Sequence, residues 1–278
     1  MRIPIFQVDA FTDRRFRGNP AAVMVLPQFL DDEVLRSVAR ENNLAETAFL
    51  VRGAAGDARE APEARARGAS VWRLRWFTPA VEVALCGHAT LASAWVITER
   101  LEPGTTRAAF HTASGVLTVE RHGERFVMDF PARRTTPVEP APAALERALG
   151  ARPVGVQHDG TNLLARMESA DVVRRLSPDM KAVAALEGTM GVIVTAAGDD
   201  GYDCVSRYFA PAKGIDEDPV TGSAHCGLAP FWGARLGKSE IRAYQASARG
   251  GEVVCRVKGD RVELEGRCAF YMEGEAEI

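Results

Sequence analysis

The sequence predicts a mixed α+β fold of two pseudo-symmetric domains, and three observations carry that reading. The hexapeptide Arg75-Trp76-Phe77-Thr78-Pro79-Ala80 returns as Arg207-Tyr208-Phe209-Ala210-Pro211-Ala212. Each copy leads through a short connection to a glycine, Gly87 or Gly222, that opens a stretch of small and apolar residues. Strand-like segments fill most of what remains, more of them than a dinucleotide fold needs, and no Gly-x-Gly-x-x-Gly is present. The copies stand roughly 130 residues apart, far beyond the ~20–50 residues of a solenoid repeat. With 278 residues the chain is close to two domains at about 150 each. We expect residues 1–130, joined by the returning strand 267–278, as one domain and residues 131–266 as the other, with a cleft between them.

The elements follow in order. Met1 to Asp9 reads as a first strand rather than a secretory leader, because it lacks a long apolar run. Arg17-Gly18-Asn19-Pro20 is a turn into the apolar strand Ala21 to Leu26. Asp31-Asp32-Glu33 begins a helix to Glu41, with acids where a helix N-terminus favours them. Asn42 to Val51 passes from a polar turn into a strand that carries Glu46 among small and apolar neighbours. Arg52 to Ser70 has almost no large apolar residue and reads as a mobile loop. The glycine-led stretches are apolar over most of their helical surface, which predicts a buried helix at the centre of each domain. Pro230 should kink or end the second of them.

Phe126 to Phe130 closes the first domain and Pro131 to Pro142 crosses to the second. There follow a helix over Ala143–Gly150, a turn over Gln157–Asn162, a strand at Leu163–Ala165 and a helical stretch Asp171–Leu186 broken at Ser177-Pro178. Strands are expected at Gly191–Ala196, Cys204–Phe209, Ser239–Tyr244, Gly251–Val257, Arg261–Leu264 and Cys268–Met272. Trp76 and Tyr208, at matching positions, read as packing residues.

A net charge of −3 gives no basic footprint for nucleic acid, and no run approaches the ~18–20 apolar residues of a membrane span. The expectation is a cytoplasmic protein whose partner is a small molecule. Five scattered cysteines without a Cys-x-x-Cys pair indicate neither a disulfide framework nor a zinc site, and no metal is expected. His225 and Cys226 lack partners at ligand spacing and read as core, while His111, His122 and His158 give no signal. The orphan N–H groups and dipole of a buried helix N-terminus make an anion site, so two such ends suit a carboxylate.

Phe6-Gln7-Val8-Asp9-Ala10-Phe11, Gly18-Asn19-Pro20, Asn43-Leu44-Ala45-Glu46-Thr47, Cys86-Gly87-His88-Ala89-Thr90 and Asp218-Pro219-Val220-Thr221-Gly222-Ser223 together resemble the PhzF family of phenazine-biosynthesis-type isomerases, within the diaminopimelate epimerase fold superfamily. The resemblance implies two similar domains, each a mixed β-sheet wrapped around a central helix. It further implies an active site in the interdomain cleft, no cofactor and a homodimer. Carried over by motif, Glu46 is the general acid/base, and His88 and Asp218 position substrate and proton. Ser223 and the backbone at Gly87, His88 and Gly222 form the carboxylate cradle.

Proton transfer at carbon needs a base on one face, and desolvation raises a carboxylate's pKa toward the working pH. An isomerase that returns the proton to the same face needs one base, whereas an epimerase usually needs two. Diaminopimelate epimerases and proline racemases, which this chain resembles in arrangement, place a cysteine before the glycine in both halves, at helix N-termini. Aligning Gly87 with Gly222 sets Cys86 opposite Thr221, so the two-thiol mechanism is not expected. Cys86 stays a candidate second acid/base beside Glu46 or Asp218, and an epimerase is the alternative activity. A protein that binds a small carboxylate without turnover is the alternative of another class. Plainer roles stand beside each assignment: Glu46 as a solvent-facing strand-end carboxylate, His88 as a helix cap, Asp218 and Ser223 as loop and cap residues, and Cys86 as a buried packing thiol.

Overall fold

The duplicated hexapeptides form strands because their aromatic and branched residues suit a half-buried pleated surface, and each strand organises a sheet of the same plan. The computed structural model describes residues 1–53 and 68–278; residues 54–67, most of the loop expected between Arg52 and Ser70, lie outside the described residues. The chain divides into two units, Met1–Asp129 with Glu265–Ile278, and Phe130–Leu264.

The first unit contains β1 (Arg2–Ala10), β2 (Asn19–Leu26), α1 (Asp32–Asn42), β3 (Glu46–Arg52), β4 (Ser70–Phe77), β5 (Glu82–Val83), α2 (Gly87–Val96), β6 (Arg107–Thr112) and β7 (Gly115–His122). Strand β8 (Arg125–Pro131) ends this part of the chain. β1 and β2 are antiparallel, β2 and β3 parallel, β3 and β4 antiparallel, β4 and β6 parallel, and β6 and β7 antiparallel. Parallel neighbours need a crossover, which α1 supplies between β2 and β3 and α2 between β4 and β6.

The second unit contains β9 (Thr136–Pro137), α3 (Ala143–Leu149), β10 (Gly155–His158), β11 (Leu163–Arg166), α4 (Ala170–Arg175), α5 (Met180–Ala184), β12 (Val192–Ala197), β13 (Cys204–Ala210) and β14 (Ile215–Asp218). It continues with α6 (Gly222–Leu236), β15 (Glu240–Gln245), β16 (Gly251–Lys258) and β17 (Arg261–Gly266). From β10 through β11, β12, β13 and β15 to β16, its pairings alternate antiparallel and parallel in the same order as in the first unit. The last strand, β18 (Cys268–Glu277), pairs along its length with β1 of the first unit, from Ala10↔Cys268 to Arg2↔Glu277.

The duplication reaches single contacts. Arg75 grips Glu82 through Nε–Oε1 at 2.7 Å and Nη2–Oε2 at 2.6 Å; Arg207 grips Glu217 through the same atoms at 2.7 and 2.8 Å. The acidic stretch Asp216-Glu217-Asp218 lies in β14, where Glu217 occupies the place of Glu82, opposite Phe209 as Glu82 is opposite Phe77.

Each sheet buries one face on a central helix and the other on outer helices. In the first unit Met24, Leu26, Phe49, Val51 and Phe77 pack with Leu35 and Ala39 of α1. In the second, Val192, Val194, Ala196 and Phe209 pack with Leu145, Leu149, Val173 and Val183 of α3, α4 and α5. Helix α2 is buried on nearly every side from His88 to Val96, and its hydroxyls turn inward: Thr90 Oγ1 donates to Cys86 O at 2.6 Å and Ser93 Oγ to Ala89 O at 2.7 Å. Pro230 neither ends nor splits α6, which runs unbroken through it. A proline withholds the N–H that would serve the carbonyl four residues back, here Cys226, and the Arg133 N–H donates to that oxygen at 2.9 Å instead. One sequence reading is corrected, since Gln157 and His158 belong to β10 rather than to a turn, while the helical stretch 171–186 is broken around Ser177-Pro178 as expected, into α4 and α5.

Candidate active site

Strand pleating decides which residues of β2 and β3 can meet α2, because alternate side chains take opposite faces. Phe49 and Val51 face α1, so Glu46, Ala48 and Leu50 share the other face. Met24 and Leu26 likewise face α1, which leaves Asn19, Ala21 and Val23 on the α2 side. The parallel register sets Ala21 opposite Glu46. His88, second residue of α2, completes the group.

The geometry is close. Glu46 Oε2 lies 3.1 Å from His88 Nε2, and their side chains are only 13% and 4% exposed. Asn19 Nδ2 lies 3.0 Å from His88 Nδ1, and Cys86 Sγ lies 3.5 Å from the same nitrogen. Glu46 is thus no solvent-facing carboxylate. No donor among the described residues makes an aligned hydrogen bond to its Oε2, despite the short approach to His88. A buried, incompletely satisfied oxygen is costly. His88 is no helix cap either: Cys86 holds the N-cap position without a side-chain cap bond, and the His88 ring is turned to Glu46, Asn19 and Cys86.

Burial pushes the Cys86 thiol up to about 11, with the Glu46 charge adding to the effect, so near neutral pH it is a thiol. Burial disfavours a charge on His88, while Cys86 and Glu46 favour one, and the balance lies above the ordinary imidazole value. With Cys86 neutral, the Glu46 carboxylate is the anion that sustains that direction. The Glu46, Cys86 and His88 donor atoms lie within 4.8 Å of one another, a set able to hold a metal ion. A metal there would bind the thiolate and the neutral imidazole, so its binding would release their protons and depend on pH.

Asp218, Gly222 and Ser223 fall in the second unit. Thr221 is the extended N-cap residue of α6 and makes no side-chain cap bond, so the N–H groups opening that helix are not served by it. Thr221 Oγ1 instead donates to Asp218 Oδ2 at 2.6 Å. Gln245, fully buried, fastens this turn: its Nε2 donates to Asp218 O at 2.7 Å and its Oε1 accepts from Thr221 N at 2.8 Å. His225 and Cys226 are buried; burial drives His225 down to about 4 and Cys226 up to about 12. Sequence reasoning missed Gln245, which stands one residue past the expected strand, and it placed Asn19 in a turn and in the Gly18-Asn19-Pro20 motif without giving it a role.

The shared register identifies the counterpart of Glu46. Thr47 pairs with Phe77 and Val192 with Phe209, so the residue before each, Glu46 and Gly191, occupy equivalent positions. A Cβ on Gly191 would come within 2.7 Å of the Tyr208 hydroxyl, which donates to Asn162 Oδ1 at 3.0 Å. Tyr208 therefore does more than pack: its hydroxyl fills the space a second carboxylate would need.

Two units of this plan, each with a buried helix crossing its sheet, define the diaminopimelate epimerase-like fold. A probable proline racemase from Agrobacterium radiobacter shares it at 12% identity, with a TM-score of 0.61 over 99% of this chain and 93% of that one. Within that class, the family model of phenazine biosynthesis-like proteins, PhzC-PhzF, matches residues 8–274, and the chain belongs to this family. A Pseudomonas aeruginosa protein named an uncharacterized isomerase is 48% identical over 278 residues, all of both chains. A PhzF-family phenazine biosynthesis protein from Enterococcus faecalis is 40% identical in its crystal structure, with a TM-score of 0.89 over all of both chains.

Proposed function

We propose that the protein is an isomerase that moves a proton on a small carboxylate-bearing metabolite, with Glu46 as its single general acid/base. The observation that carries this reading is the broken symmetry: an otherwise duplicated register has a buried carboxylate at Glu46 and a glycine at 191 whose side-chain space a tyrosine hydroxyl fills. One base can lift a proton from one carbon and return it to another on the same face. Inversion would need a second group delivering a proton to the opposite face; Cys86, a thiol near neutral pH, could serve only as that donor, and its Sγ lies against His88 Nδ1 at 3.5 Å. Relatives named isomerases support the same class.

In this mechanism Glu46 takes the carbon-bound proton, and His88, 3.1 Å away, shares the charge that arrives. Each unit by itself offers a helix N-terminus suited to a carboxylate, opened by Gly87 and His88 in the first and by Gly222 and Ser223 in the second, where Asp218 is the candidate positioning group. Reaction through these side chains alone requires no cofactor. The test is proton NMR in D2O with amino acids, hydroxy acids and cyclic dienyl carboxylates, comparing the unmodified protein with Glu46→Gln and Cys86→Ala. Deuterium should enter a carbon position with the unmodified protein and with Cys86→Ala, and not with Glu46→Gln. Full exchange by Glu46→Gln would remove Glu46 from the mechanism; loss in Cys86→Ala alone would favour the epimerase.

A further inference from the structure

We propose that Asn19 is a positioning residue that decides which nitrogen of His88 carries the proton, holding it on Nε2, the nitrogen facing Glu46, and withholding Nδ1 from Cys86. Two groups compete for Nδ1: the Asn19 amide nitrogen at 3.0 Å and the Cys86 sulfur at 3.5 Å. An amide N–H is the stronger donor, since a thiol is a weak one. When the neutral ring accepts from Asn19 through Nδ1, its proton must reside on Nε2, because the hydrogen bond at one ring nitrogen fixes the state of the other. That places the protonated nitrogen 3.1 Å from Glu46 Oε2. It also denies Cys86 the base that could activate it: a thiol beside a free imidazole nitrogen is the usual route to a thiolate.

The surrounding chain is built to hold Asn19 in place. Asn19 is fully buried and paired with Ala10 at the start of β2. The turn before it runs through Phe11, Phe16 and Gly18, all with φ between 62° and 68°. A side chain on Gly18 would collide with the Ala10 carbonyl and with Thr12. Asp9 Oδ2 accepts from the Phe16 N–H at 2.8 Å, tying the turn to β1. Such left-handed backbone is costly outside glycine and persists where the surroundings impose it; here it delivers one amide to one imidazole.

The inference deepens the single-base reading, but its test needs no substrate. Long-range proton–nitrogen NMR of the histidine-labelled protein, titrated until the His88 ring is neutral, distinguishes the two tautomers. The unmodified protein and Cys86→Ser should both show an unprotonated Nδ1 and a protonated Nε2. The isosteric Asn19→Asp replaces the donor by an acceptor and should leave Nδ1 protonated; Asn19→Ala should lose the preference for Nε2. Thermal melts and amide spectra identify any variant that fails to fold, and Asn19→Asp keeps the test alive if Asn19→Ala does. A protonated Nδ1 in the unmodified neutral ring, or an unchanged pattern in folded Asn19→Asp, overturns the proposal. Either result leaves the deuterium-exchange outcome for Glu46 standing on its own.

Discussion

At Glu46 the side chain is 13% exposed and its Oε2 has no aligned donor among the described residues, which is costly to the folded state. Removing the charge while keeping the shape should therefore spare the fold and stop the chemistry. We expect Glu46→Gln to lower turnover on the order of 10²–10⁴-fold, the usual worth of a general acid/base, with ligand affinity nearly unchanged by calorimetry. Cys86→Ala should change the rate by no more than a few-fold, since the single-base reading gives no proton transfer to a thiol that burial pushes up to about 11. A comparable collapse in both variants would mean that the thiol moves a proton too. The sequence displays Glu46, His88 and Cys86 inside recognisable motifs. It does not display their contact, which depends on the pleat of β3 and on His88 standing one position into α2. Gln245 illustrates the limit: its importance lies in reaching back to Asp218 and Thr221, and nothing in its own neighbours announces that.

Elements carry the duplication more faithfully than residues do. The hexapeptide and glycine signals read directly from the sequence become matched strand and helix pairs because aromatic strand residues and small-residue helices each have one good burial solution here. Pro230 does not interrupt its helix for a local reason: whether a proline ends a helix depends on who serves the freed carbonyl, and Arg133, nearly a hundred residues away in sequence, does so. Gly191→Ala tests the element-scale account, because its Cβ would stand 2.7 Å from the Tyr208 hydroxyl and 2.8 Å from Phe209 O. Overpacking of this kind costs about 1–3 kcal/mol, measurable by urea denaturation; a neutral effect would show that β12 and β13 yield more easily than their register implies. Gln245→Leu should cost about 1–3 kcal/mol through the unsatisfied Thr221 N–H. It should also reduce turnover, because the Asp218 turn loses its fastening.

For the molecule as a whole, pH dependence offers a check that needs no substrate. His225 is fully buried and its proton affinity falls to about 4, from the ordinary value of 6.5. Between those values the unfolded chain binds a proton that the folded chain refuses, so stability rises with pH across this window and is lost as pH falls from 6.5 toward 4. The loss attributable to His225 is on the order of 3 kcal/mol at most. A folded His225→Gln variant should show a flatter stability profile there by chemical denaturation, and an identical profile would reassign the acid sensitivity. At this scale the family match spans residues 8–274, and the chain divides into the units Met1–Asp129 with Glu265–Ile278, and Phe130–Leu264.

The central claim is that one carboxylate moves the proton, and label transfer tests it most directly. Once a substrate is found by exchange, it should be prepared with deuterium at the carbon that loses its proton and converted in ordinary water at low extent. A single base at Glu46 predicts that part of the deuterium reappears at the receiving carbon, on the face from which it left. Product carrying only solvent hydrogen, with the configuration inverted at the reacting carbon, would contradict that account and establish a second acid/base.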